Sequence, residues 1–108
     1  MNSFEAVVLL SPEITSKVRN TSLDNLEKII NGKSGKIVNN EDWGLRDLSY
    51  KIDNYSKAFY NFYQIEIEGD KIESIKKILN QDENFIRHLF VRVEKHQELP
   101  TKLNNEKK

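Results

Sequence analysis

The side chains in this 108-residue chain that could do chemistry are chiefly cations set on alternating segments. Arg46 lies in EDWGLRDLSYKI, and Lys51 and Lys57 flank the turn signal that follows it. Arg87 and Arg92 lie in FIRHLFVRV, on opposite parities, so a strand there cannot gather them into one patch. An arginine offers phosphate a planar fork of donors or stacks on a base, and a lysine offers a point charge. The plainer reading of Arg46 is a surface ion pair with Glu41, Asp42 or Asp47, worth about 0–1 kcal/mol. The plainer readings of the others are solvated lysines and arginines that discourage edge pairing between sheets. These five are the candidate phosphate-contacting residues.

Other chemistries find little support. His88 and His96 are the only histidines, there is no cysteine, and no cluster has metal-ligand spacing. No glycine-rich loop is built to cradle phosphate. The expectation is a protein that is not an enzyme and that has no metal, cofactor or small-molecule substrate. Seventeen Lys and Arg balance seventeen Asp and Glu, giving zero formal charge. A strongly basic binder able to hold nucleic acid alone is therefore disfavoured, though a local basic patch is not. The apolar run Ala6–Leu10 is too short to cross a bilayer and has no basic flank. A cytoplasmic protein without a membrane partner is expected.

The elements that must position these cations read in the order βαββαβ. FEAVVLL (4–10) is apolar on both parities, as a central strand covered on both faces would be. Ser11-Pro12-Glu13 predicts a helix start with Ser11 as N-cap. Ile14, Val18, Leu26, Ile29 and Ile30 then form one apolar face, and Gly32 suits a left-handed C-cap. Residues 36–52 predict a long second strand, bent where Gly44 tolerates a bulge. Asp53, Asn54 and Ser56 mark a turn, and 58–68 a third strand. Asp70 with Glu73 predicts a capping box opening a second helix whose apolar arc is Ile72, Ile75, Ile78 and Leu79. Residues 85–93 predict a fourth strand. Residues 1–95 form the expected domain, and 96–108, poor in apolar residues, a flexible tail. Together these predict an α+β, split-βαβ sandwich with an antiparallel sheet and both helices on one face.

Two helices cover one side of a sheet, yet the strands are apolar on both parities. Val7 and Leu9 oppose Ala6, Val8 and Leu10, and Tyr60 and Phe62 oppose Tyr63, Ile65 and Ile67. Leu89, Val91 and Val93 oppose Ile86, His88 and Phe90, with nothing in the pattern to say which set faces the helices. The open side should present Trp43, Tyr60, Phe62, Leu89 and Val91 to a partner, since a contiguous apolar patch on a small domain marks a binding surface. Trp43 packs either at the strand bend or against that partner. Coverage by loops, the tail or a second copy is the alternative. Base stacking on the aromatics is a weaker reading, because the third strand lacks the glycine-rich, Arg/Lys-led aromatic signature of that RNA-binding fold. Acylphosphatases share the architecture, but they need an arginine in an anion loop after the first strand, where this chain has Leu10-Ser11-Pro12.

The stretch from Glu41 to Ile52 resembles the signature of the family of the sixth protein of the bacterial small ribosomal subunit. Gly44, Arg46, Leu48, Ser49, Tyr50 and Ile52 carry the likeness. Phe4-Glu5, Gly35-Lys36-Ile37, Ala58-Phe59-Tyr60 and Ile86-Arg87 fall in the same register, so it covers about residues 3 to 95. The resemblance implies a ferredoxin-like βαββαβ sandwich. It further implies a structural constituent of the small ribosomal subunit that binds its ribosomal RNA together with the eighteenth small-subunit protein, with Arg46, Lys51, Lys57, Arg87 and Arg92 as the candidate RNA-binding residues. A dimeric small-molecule-sensing regulatory domain of the same architecture is the alternative.

Overall fold

A computed structural model describes residues 2–52 and 54–94. The elements are β1 (Asn2–Leu10), α1 (Ser16–Gly32), β2 (Lys36–Ile52), β3 (Tyr55–Ile67), α2 (Ile72–Gln81) and β4 (Phe85–Val93), with a 3₁₀ turn at Gly69–Lys71 before α2. The four strands pair antiparallel in the order β2-β3-β1-β4, which puts β1 and β3 in the centre and leaves β2 and β4 as edges. This is the expected ferredoxin-like α+β sandwich. The expected tail, 96–108, lies outside the described residues.

The helix-facing side of the sheet holds the core. Phe4, Ala6, Val8 and Leu10 of β1 meet Tyr63, Ile65 and Ile67 of β3 beneath Leu26 and Ile30 of α1 and Ile72, Ile75 and Leu79 of α2. Each large side chain buried there contributes about 1.5–3 kcal/mol. Phe90 packs on the same core and His88 bonds to Asn80 of α2, which settles the parity of β4: Leu89 and Val91 point away from the helices.

The structure corrects several local expectations. The cap of α1 is Thr15, whose hydroxyl accepts from the Val18 amide at 3.2 Å. Ser11, expected to cap the helix, instead accepts from the Glu13 amide, while its own amide donates to the Asn84 carbonyl. The chain thus closes a tight turn before the helix begins. After α1 the left-handed residue is Ser34 (φ 64°), not Gly32. The glycine needed there is Gly35, where a Cβ would stand 2.8 Å from Ile67 Cδ1 and 2.9 Å from the Ile30 carbonyl. No capping box forms at Asp70–Glu73, because the 3₁₀ turn precedes α2 without a side-chain cap. Strand β3 starts at Tyr55 because the hairpin pairs Ile52 with Tyr55.

The bend at Gly44 is present. Register runs Asp42 with Asn61 and then Gly44 with Tyr60, so Trp43 is an extra residue in β2. Gly44 takes φ 77°, and its amide donates to Asp42 Oδ1 at 2.8 Å. The bulge changes which parity faces which side. Glu41 is in register with Phe62, and Arg46 with Ala58, so an odd and an even residue of β2 share the side away from the helices.

Candidate functional site

The side of the sheet away from the helices is ordered in cross-strand rows. Val7 lies between Phe62 and Leu89, Leu9 between Tyr60 and Arg87, and Glu5 between Gln64 and Val91. The bulge folds Trp43 onto the first two rows. Its ring stacks on Phe62 (centroids 5.4 Å apart, planes at 9°) and on Tyr60 (6.3 Å, 23°). Its Nε1 donates to Glu41 Oε1 at 2.9 Å, which satisfies the indole where it is buried. Trp43 and Phe62 are 5% and 3% exposed. The chain therefore covers this half of its own sheet. These two residues, expected at a partner interface, give a partner little surface.

Arg46 completes the arrangement. Its Nε donates to the Trp43 carbonyl at 3.3 Å. The guanidinium carbon stands 5.2 Å from the Trp43 ring centroid and 6.0 Å from that of Tyr60. Its Nη2 is buried without a hydrogen-bond partner. A desolvated, unsatisfied cationic donor is costly, and an arriving anion or carbonyl removes that cost. Asp47 pairs with Lys57, not Arg46, at 3.9 Å with both side chains mostly exposed. That pair contributes at most about 1 kcal/mol.

Of the five basic residues, the structure brings two to one place. Tyr60 lies within reach of Arg46 and lines, with Leu9, Leu48 and Arg87, a groove of about 220 Å³. Lys51 and Lys57 sit at the hairpin end of the same sheet. Arg92 is in register with Phe4, on the helix-side parity, and donates to Asn2 Oδ1 at 3.0 Å. Arg87 and Arg92 are therefore on opposite sides, as their spacing requires. Leu89 and Val91, 59% and 46% exposed, form the apolar surface left open beside the covered half. Tyr50 is 74% exposed and adds to the hairpin surface.

Residues 3–92 match the family model for ribosomal protein S6. The chain belongs to the ribosomal protein S6 family. It is 32% identical over 96 residues to the small ribosomal subunit protein bS6 of Christiangramia forsetii, covering 89% of this chain and 86% of that protein. It is 32% identical over 107 residues to the protein of the same name from Maricaulis maris, covering 99% and 92%. The crystal structure of 30S ribosomal protein S6 from Thermotoga maritima superimposes with a TM-score of 0.82 at 20% identity, over 85% of this chain and 87% of that one. This last likeness supports the fold. Members of the family are ribosomal structural proteins and not enzymes.

Sequence reasoning missed how these residues cooperate. The Glu41–Trp43–Arg46 unit depends on the bulge phase, for which Gly44 was the available signal. Arg19 was also missed: its guanidinium lies 3.9 Å above the Phe59 ring and so holds α1 to β3.

Proposed function

We propose that the chain is a structural component of the small ribosomal subunit, working in the cytoplasm. It would bind small-subunit ribosomal RNA together with the eighteenth small-subunit protein. The single observation that carries the reading is Arg46, fixed over Trp43 with a buried donor still unmatched, next to the groove that Arg87 lines. A phosphate or base edge supplies the acceptor that Arg46 lacks. Lys51 and Lys57 add charge at the hairpin. Phosphate contacts of this kind orient the protein rather than read sequence. Leu89 and Val91, with the rim of Tyr60, take the protein partner through apolar packing. Zero net charge accords with weak RNA binding alone and firm binding alongside a basic partner. Family membership favours this over a dimeric sensing domain.

The test is RNA affinity measured with and without the eighteenth protein across a salt series. Affinity should rise when the partner is present, and Arg46→Ala should weaken binding about tenfold in both arms. Equal affinity in the two arms rejects joint binding. An unchanged Arg46→Ala affinity removes Arg46 from the RNA contact.

A further inference from the structure

On the other side of the sheet from Arg46, between α1 and edge strand β2, lies a groove of about 420 Å³. Asp24 and Glu27, three residues apart on α1, line it together with Asn40 and Asp42 of β2 and Asn61 and Tyr63 of β3. Neither Asp24 nor Glu27 has a cationic partner among the described residues. Asp24, Glu27 and Asp42 line the same groove without closing on one point, and one oxygen of Asp42 already accepts from the Gly44 amide. Burial holds the Tyr63 phenol well above its usual range, and Glu27, Asp24 and Asp42 all add to that shift. Burial and the nearby Asp24 also raise the Glu27 carboxyl above its ordinary value.

Asn61 gives the independent sign of a missing ligand. It is 6% exposed and lines the groove, yet its Nδ2 has no hydrogen-bond partner. By contrast, the other buried amide of β3, Gln64, donates to Glu5. Buried amides are ordinarily satisfied, so an orphan beside unpaired carboxylates marks a place where something polar belongs. Turned by half a rotation, the amide presents its oxygen to a donor instead.

We propose that this groove receives one organic cation, a guanidinium or a primary ammonium, held between Asp24, Glu27 and Asp42 with the Asn61 amide completing the hydrogen bonds. No three acidic or histidine side chains among the described residues are arranged to coordinate a metal ion. Carboxylates spread this way suit a larger cation with several N–H donors aimed in different directions. Three acids also repel phosphate, which keeps the groove distinct from the Arg46 face. The cation is either a basic side chain of a protein segment or a free polyamine.

The experiment uses the full chain labelled with nitrogen-15. It is titrated at constant ionic strength with an acetylated, amidated Gly-Arg-Gly peptide, with spermidine, or with magnesium chloride. Peptide or spermidine should shift the Asn61 side-chain amide and the backbone around Asp24, Glu27 and Asp42 saturably, and magnesium should not. Asp24→Asn with Glu27→Gln should weaken that binding about tenfold. The double change removes repulsion and should leave the fold intact. If its native spectrum is lost, Glu27→Gln alone carries the same expectation at smaller size. Tighter binding of the peptide assigns the site to a protein segment, and tighter binding of spermidine to the free polyamine. Shifts matched by magnesium, or unchanged by the substitutions, overturn the proposal.

Discussion

The two sides of this sheet are closed by different means. The helix side is sealed by side chains from separate elements, Leu26 and Ile30 from α1 and Ile72, Ile75 and Leu79 from α2, which meet the sheet from above. The other side has no second layer among the described residues. One residue inserted into an edge strand covers half of it, and Leu89 and Val91 leave the rest open. The difference shows that a two-layer sandwich need not present its whole lower face to a partner. A single aromatic lid limits what must be covered from outside and, in the same stroke, fixes the cation that sits on it.

The largest expected effect tests the lid. Trp43→Ala should cost about 3–5 kcal/mol in urea denaturation, comparable with about 2–5 kcal/mol for Ile65→Ala in the helix-side core. A loss below about 1 kcal/mol for Trp43→Ala would mean that the two sides are not both sealed. Next comes the open half. Leu89→Ser with Val91→Ser should change stability by no more than about 1 kcal/mol, about 0.5 for each position. The same double change should weaken binding of the protein partner about fivefold or more by calorimetry. Strong destabilisation without a binding effect would make these residues core and erase the contrast.

The smallest effect belongs to His88, at the rim of the helix side. Burial, with Lys76 nearby, lowers its pKa below the ordinary 6.5. Its Nε2 stands 3.0 Å from Asn80 Oδ1, while Nδ1 is buried without a partner. The neutral ring donates through Nε2, and a second proton would be buried unmatched at Nδ1. The unfolded chain therefore binds a proton that the native state resists. The contribution of His88 is present above pH 6.5 and declines as pH falls below that value toward the lowered native pKa. Thermal midpoints between neutral and mildly acidic pH should fall less steeply in His88→Gln than in the wild type. Parallel profiles would show that the histidine has no such role.

Much of the fold was legible because periodicity records burial. The even residues of the doubly apolar β1, the arcs Ile72–Ile75–Leu79 and Leu26–Ile30, and the alternation of Tyr63, Ile65 and Ile67 all landed on the helix-side core, while Val7 and Leu9 took the other side. Helix starts were less legible, since Ser11 and Thr15 are both good caps and only tertiary packing chooses between them. The Asp70–Glu73 motif failed for a similar reason: the chain turns through a 3₁₀ segment before α2 begins. On the open side, residue types were informative and their arrangement was not. Trp43 and Arg46 have opposite parity, so strict alternation would separate them. The acidic groove was illegible because Asp24, Asp42 and Asn61 are brought together by helix packing over an edge strand and share no local spacing.

The bulge residue Trp43 also acts as a counter. From Leu45 to Asp47, which side chain looks up and which looks down is decided by the number of residues before them, not by their chemistry. Deleting Gly44, or adding one neighbour, would turn Arg46 over to the far side while leaving every other residue of the segment unchanged. Anyone grafting this hairpin onto another sheet must therefore preserve its tally of residues before its composition.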